Sequence, residues 1–362
     1  HGAAPPAWRR AELRPVELKD GRRLQQVCYD ERQAHTSNLA YPAEAAAGVD
    51  ALLAEPYGNW HVETAESTVQ VRVTKKGQAQ VHRQRAEGAV GPTAHDRVKP
   101  RLIDPGDPIF GVLGADAAKR RQVDAFLRLL APTLDAVEDR APLHVVDLGC
   151  GNAYLSFAAH RYLATQRAER GGARLTGVDL RDAARARNTA IAEKLSAADV
   201  SFVAGTIADA ELPPGDLVLA LHACDTATDD ALARAVRWEA PVVIAAPCCH
   251  HETAAAIRAA GAPAPYGLLG KHGILRERMA DVLTDALRAT LLRLLGYRVD
   301  VVEFVSSEHT ARNVAIRAVR TGAAADPDLV PEYRSLVKAW GLRPHLAVLL
   351  ADELTVRHGG AW

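Results

Sequence analysis

The period of the apolar positions changes near residue 115, and that change organises the chain. Before it, apolar and polar residues alternate in short runs. Leu13–Leu18 reads as a strand, Lys19-Asp20-Gly21 as a turn, and Leu24–Tyr29 as the returning strand. Ala43–Ala54, rich in Ala and Leu and closed by Pro56 and Gly58, predicts a short helix. Thr68–Val73 alternates cleanly, Lys75-Lys76-Gly77 turns, and Gln78–Arg83 returns as the second arm of a hairpin. Residues 86–109 hold Gly88, Gly91, Pro92, Pro100, Pro105, Gly106 and Pro108, a density of breakers expected of a linker or a surface-crossing segment. After it, Val123, Phe126, Leu127, Leu130 and Leu134 recur at helical spacing. Apolar runs at 143–148, 175–179, 200–204, 217–221 and 242–246 then alternate with helical segments. Runs apolar on both faces suit a parallel sheet covered on both sides. A long helix over 275–295 precedes two longer strands, 297–304 and 313–319, expected to close the sheet as an antiparallel pair, and residues 326–356 read as short helices.

Composition narrows the class. The 362 residues exceed one ordinary domain, and 48% are apolar and 24% charged, as in globular proteins with a sizeable core. Lys plus Arg and Asp plus Glu are equal at 44, which excludes a polyelectrolyte such as a histone or an acidic tail. Eighteen uninterrupted apolar residues occur nowhere, so no membrane span is expected. The start, His1-Gly2-Ala3-Ala4, has neither a basic nor an apolar leader segment, so no signal peptide is expected. Five cysteines, two of them adjacent, are no disulfide framework and suit a reducing, cytoplasmic location.

The most informative segment is Val145-Val146-Asp147-Leu148-Gly149-Cys150-Gly151-Asn152, a strand ending in an acid, then Gly-x-Gly, then a helix from about Tyr154. The glycines permit a tight turn and close approach of a ligand to the backbone. A dinucleotide fingerprint needs a third glycine three residues later, where Tyr154 stands. The acid before the turn also disfavours a pyrophosphate and suits a cationic amine or sulfonium. The second strand ends in Asp179, placed to accept from ribose hydroxyls, and Asp209 in Gly205–Asp209 is placed for an exocyclic adenine amine. Three acids at three successive strand ends describe a site for a positively charged nucleoside. Over roughly residues 115–320 the pattern resembles the class I S-adenosylmethionine-dependent methyltransferases. The resemblance implies an α/β, Rossmann-like seven-stranded sheet. It also implies a donor site built from Asp147, Gly149, Gly151, Asn152, Asp179, Thr206, Ile207, Asp209 and Leu221.

Two strand ends add chemistry. Leu219–Asp225 contains His222, Cys224 and Asp225, and Ala245–His251 contains Pro247-Cys248-Cys249-His250-His251. The first, fourth and fifth strands are expected as neighbours, so both ends line the ligand crevice. The pair is similar to a methyltransferase group that includes the tRNA acceptor-stem ribose 2′-O-methyltransferases, which implies an RNA substrate, tRNA among the candidates. The N-terminal zinc-finger elements of those enzymes are not visible in residues 1–105. Four readings stand for these side chains. A histidine, His222 or His250, oriented by Asp225, takes a hydroxyl proton. Cys224 and Cys248 perform thiolate chemistry on a cytosine ring, one attacking and the other helping release the product. A metal is bound, although adjacent cysteines are poor chelate spacing and no metal is expected. Or the group is packing.

Between Ser67 and Arg101 stand eight basic residues and two acids, Glu87 and Asp96. Arg72, Lys75, Lys76 and Arg83 share one hairpin and are expected to contact phosphates. The loop Tyr266–Gly273 reads as a lid, with Arg276 and Arg278 following, and Ser306–Asn313 as a polar loop that reaches the site. The expected organisation is a small α+β, RNA-binding module over 1–105, a methyltransferase domain over 106–322, and a helical extension over 323–362. No membrane or DNA partner is expected. Acceptors other than RNA, a protein side chain or a metabolite, and a non-enzymatic donor-binding scaffold are the alternatives.

Overall fold

The computed structural model describes residues 6–18, 20–31, 33–64, 67–74, 78–85, 101–304, 313–360 and 362. The chain divides into two compact units, His1–Pro100 and Arg101–Trp362.

The first unit holds two three-stranded antiparallel sheets. Strands β1 (Arg10–Leu18), β2 (Gly21–Tyr29) and β3 (Ala34–Ala40) form one, with helix α1 (Ala43–Leu53) after it. Val16, Leu24, Cys28, Ala45 and Leu52 are its buried apolar side chains. Strands β4 (Asn59–Glu63), β5 (Ser67–Val73) and β6 (Ala79–Arg85) form the other. The β5–β6 hairpin stands where alternation placed it. Sequence reasoning missed β3 and β4, whose polar residues carry no strict period: β3 is exposed over Ala34–Asn38.

The second unit is built on a seven-stranded sheet. Its elements are α2 (Ile109–Val112), α3 (Ala117–Leu130), β7 (Leu143–Leu148), α4 (Tyr154–Gln166), β8 (Ala173–Asp179), α5 (Asp182–Lys194), β9 (Val200–Ala204), β10 (Leu217–Ala220), α6 (Thr226–Arg237), β11 (Val242–Ala245), α7 (His251–Ala260), α8 (Gly267–Gly270), α9 (Gly273–Leu294), β12 (Tyr297–Glu303), β13 (Val314–Arg320), α10 (Leu329–Trp340), α11 (His345–Leu349) and α12 (Ala351–His358). The strand order is β12-β13-β11-β10-β7-β8-β9. Five strands pair in parallel, β13 runs antiparallel to β11, and β12 runs antiparallel to β13. The antiparallel pair expected at the end of the sheet is β12–β13, with β13 inserted between β11 and β12.

Every residue of β10 and β11 is buried, as required of short central strands covered on both faces. Alternate side chains feed two cores. Val146, Leu148, Val218 and Val243 join α6, α9 and the C-terminal helices. Leu143, Val145, Leu217 and Leu219 join α3 and α4. Each such fully buried aliphatic side chain stabilises by about 1.5–3 kcal/mol. Tyr333, Trp340, Leu346, Leu350 and Leu354 of the last helices lie within the first core, so residues 329–358 pack as part of this unit. Ile103, Ile109 and Phe110 are buried in the second core. The stretch from 101 to 112 is therefore part of the fold and not the linker its breakers suggested, because apolar anchors stand between the prolines. The remainder of that breaker-rich run, 86–100, lies outside the described residues, as do Lys75, Lys76 and the loop 305–312. Among the described residues no helix is long and apolar enough to cross a membrane.

Candidate active site

The carboxyl ends of β7, β8 and β10 bring the expected residues together. Asp147, the penultimate residue of β7, is fully buried, and Ser156 Oγ of α4 donates to its Oδ2. Its Oδ1 has no hydrogen-bond partner among the described residues. Burial pushes this carboxyl up to about 7, the Ser156 bond opposes the rise, and the charge of Asp179 adds to it.

The turn after β7 is held from both sides. The amides of Gly149 and Cys150 both donate to Val178 O at 2.8 Å. Arg187 Nη2 and Asn188 Nδ2 of α5 donate to Gly151 O at 2.8 and 3.0 Å. Gly149 and Gly151 have φ of +78° and +54°, left-handed values that strain any other residue. A Cβ on Gly151 would also sit 3.3 Å from the His222 side chain, so the bare glycine is what lets that ring lie over the turn. Ala153 follows at φ +52° and starts α4 with no side-chain cap. Asn152 is exposed beside it.

Asp179 ends β8. Its Oδ2 accepts from Gly151 N at 2.9 Å, and its Oδ1 accepts from Arg181 N and Nε at 3.0 and 2.9 Å. Burial alone raises this carboxyl, but the Arg181 and Gly151 bonds outweigh it and hold the group below the ordinary carboxylate range. After β9, Thr206 Oγ1 donates to Asp209 Oδ2 at 2.7 Å and accepts from Asp209 N at 3.0 Å. Arg234 Nη1 donates to Ile207 O at 2.5 Å, which fixes the same loop to α6. Leu221, just past β10, is buried.

His222 is the exposed histidine of this edge. Its ring centroid lies 6.2 Å from that of Tyr154. The ring reaches solvent, yet surrounding protein strips enough water to hold its pKa below the ordinary histidine value, against the pull of Asp179. The neutral, proton-accepting imidazole is the favoured form at pH 7.

The other expected catalytic residues are placed differently. His250 is buried, with Nε2 2.9 Å from Asp285 Oδ1 and Nδ1 2.9 Å from Asp281 Oδ1, both on α9. Both ring nitrogens face carboxylates, so neither is turned toward an acceptor. Asp225 does not orient a histidine as expected. Its Oδ1 accepts from Glu252 N at 3.2 Å, its carbonyl accepts from Arg288 Nη2 at 2.8 Å, and its φ is +54°. Cys248 meets Cys224 at a sulfur–sulfur distance of 3.1 Å. Burial and the two neighbouring cysteines push the Cys248 thiol up to about 12, the reverse of what a thiolate nucleophile needs. Sequence reasoning missed Ser156, Arg181, Arg187 and Asn188; the Ser-x-x-x helix opening and the Arg-rich start of α5 carry no signal of their own.

In the first unit, strand register puts Arg72 opposite Asn59 and Gln80, and Arg83 opposite Val69. Side chains alternate along a strand, so Arg72 and Arg83 project from opposite faces of the sheet and do not form the single basic face expected. His61, Arg72 and His82 share one face of this sheet, and Trp60 stands on the other beside Val71 and Val81. In the second unit the expected lid contains α8, and Tyr266 beside it stacks on Trp340 at 5.8 Å.

Compared with known proteins, residues 118–256 match a family model described as a methyltransferase domain. No curated protein matches the sequence. Three solved structures are similar in part. A Galdieria sulphuraria protein assigned as a sarcosine dimethylglycine methyltransferase is 13% identical over 34% of this chain and 45% of that one, with a TM-score of 0.27. The chain thus spans under half of that protein. The precorrin-6y C5,15-methyltransferase of Geobacter metallireducens is 18% identical over 53% and 87%, with a TM-score of 0.33. The ribosomal protein L11 methylase of Lactobacillus delbrueckii subsp. bulgaricus is 15% identical over 54% and 79%, with a TM-score of 0.31. No argument about the acceptor rests on these structures.

Proposed function

We propose that the chain, whose residues 118–256 match a methyltransferase domain, is a class I enzyme that uses S-adenosylmethionine to methylate RNA, with His222 as the group that takes the acceptor's proton. The donor would lie along Asp147, Gly149, Gly151, Asn152 and Asp179, with its adenine toward Thr206, Ile207 and Asp209 and beside Leu221. The residues fit such a ligand in three respects. Asp147 has an unspent, buried oxygen, which an ammonium group would satisfy. The Gly149 and Gly151 positions are a cradle that side chains would fill. Asp179 offers a carboxylate at the strand tip, once the exposed Arg181 side chain yields its place to ribose hydroxyls.

Bound there, S-adenosylmethionine supplies a methyl group on a sulfonium, an electrophile with a good leaving group. The chain's own task is to position the acceptor in line and to remove its proton. A neutral His222 at the mouth of the site is the side chain suited to the second task, and it is the observation that carries the mechanism. The face of this first-unit sheet that carries His61, Arg72 and His82 supports RNA as the acceptor. Aromatic, cationic and hydrogen-bonding side chains together form the kind of surface on which unpaired bases stack and phosphates bind.

Labelled donor incubated with total RNA, with whole-cell protein and with a metabolite extract tests this. Label that becomes soluble on ribonuclease treatment supports the proposal. Label confined to protein or small molecules contradicts it.

A further inference from the structure

The spacing of Cys248 and Cys249 argued against a metal, but folding adds a third thiol that spacing does not reveal. β10 and β11 are parallel neighbours, with Leu219 paired to Ile244 and Ala220 to Ala245. The loops leaving them therefore emerge side by side, Cys224 on one and Cys248 and Cys249 on the other. The sulfur–sulfur distances are 3.1 Å from Cys224 to Cys248 and 3.7 Å from Cys248 to Cys249, and all three sulfurs lie within 4.8 Å of one another. None of the three is in a disulfide. At a zinc–sulfur bond of about 2.3 Å, a tetrahedron separates its sulfurs by about 3.8 Å. Small shifts bring the three atoms to that spacing. Cys224 is exposed and the other two are half-buried, so an ion can enter from solvent.

The loops are also fixed from beneath. Asp285 takes His250 Nε2 at 2.9 Å and lies 3.5 Å from Arg288 Nη1. Arg288 is fully buried, forms a two-pronged bond to Asp229 at 2.8 Å on each side, and donates to Asp225 O. One network thus anchors the residue after Cys224 and the residue after Cys249. The positive φ of Asp225, a strained backbone conformation, is held by this network. Thiolates at this spacing repel one another, and a cation among them turns that repulsion into attraction.

We propose that Cys224, Cys248 and Cys249 form a three-thiolate site for a single thiophilic cation of the zinc or copper(I) class, open to solvent at its remaining position. Binding converts thiols to metal-bound thiolates and releases their protons to buffer. His250 and Asp225 then serve as positioning residues for the sulfur loops. The site stands independently of the nature of the methyl acceptor.

The test uses the full chain, reduced and held anaerobically. Zinc is titrated against a chromogenic chelator, copper(I) against a copper-selective chelator, and cobalt(II) serves as a spectroscopic probe. One equivalent of zinc or copper(I) is expected, with thiolate-to-cobalt charge-transfer absorption. The tighter of the two titrations identifies the ion. Cys224→Ser, Cys248→Ser and Cys249→Ser should each weaken binding at least tenfold and diminish the cobalt band, while circular dichroism shows the fold retained. Absence of stoichiometric binding by folded, reduced protein overturns the proposal. So does affinity unchanged in all three variants. A Cys224–Cys248 disulfide found by mass spectrometry on mild oxidation, with no metal bound by the reduced form, would make the pair a redox couple and likewise overturn it.

Discussion

Asp147→Asn removes one ionisable group and almost nothing else. The amide has the shape of the carboxyl, and its oxygen still accepts the Ser156 hydroxyl. In the folded chain burial holds Asp147 near 7, against 3.8 for an ordinary aspartate. The gap is about 3 pH units, and at about 1.4 kcal/mol per unit it is on the order of 4 kcal/mol. The sign follows from proton uptake. Between 3.8 and about 7 the folded state binds a proton that the unfolded state has lost, so stability falls as pH rises through this window. From pH 5 to pH 8 the fall due to this one group is about 3 kcal/mol. Urea unfolding followed by circular dichroism at half-unit pH steps, on wild type and Asp147→Asn, isolates it, because other titrating groups cancel in the difference. The variant should match wild type near pH 4 and gain on it steadily up to about pH 7. It should also bind the donor more weakly, since an ammonium group loses its counter-charge. Two pH profiles that run parallel from pH 5 to pH 8 would refute the assignment of a costly buried carboxyl here.

Three further outcomes are expected. His222→Ala should lower the rate of methyl transfer by about 10²–10⁴-fold with little change in donor affinity, and the wild-type rate should fall on acidification only below the usual histidine range, because the folded ring resists protonation; an unchanged rate in single-turnover assays would discard the base. Arg181→Ala should tighten or preserve donor binding, because Arg181 competes with ribose for Asp179; loss of donor affinity by calorimetry would mean that Arg181 itself contacts the ligand. Arg288→Ala should lower unfolding stability by about 3–5 kcal/mol, because it leaves Asp229 and Asp285 buried without their cation; a thermal midpoint equal to wild type would deny the network its role.

The parallel sheet was legible because its strands are short and apolar on both faces, a pattern with few competing readings. The turn at Gly149-Cys150-Gly151 was legible for a different reason: positive φ is tolerated at low cost by glycine, so backbone geometry leaves a mark in the sequence. Asp147 and Asp179 could be placed because strand ends fix where side chains point. The roles of His250 and Asp225 were not legible. Their partners Asp281, Asp285 and Arg288 lie on α9, far along the chain, and a residue type carries no record of which distant carboxylate it meets. The Cys224–Cys248–Cys249 cluster was hidden likewise, since ligand spacing along one segment ignores what a neighbouring strand brings alongside. Arg72 and Arg83 show the converse error. They are close in sequence, but the two-residue period of a strand separates them onto opposite faces.

Calorimetric titration of S-adenosylhomocysteine, the demethylated donor product, into wild type and Asp179→Ala tests the placement of the donor at the sheet's carboxyl edge most directly. One site per chain in wild type, weakened at least tenfold in the variant, is the predicted result. No heat of binding to folded wild type, or equal affinity in the two proteins, would contradict it.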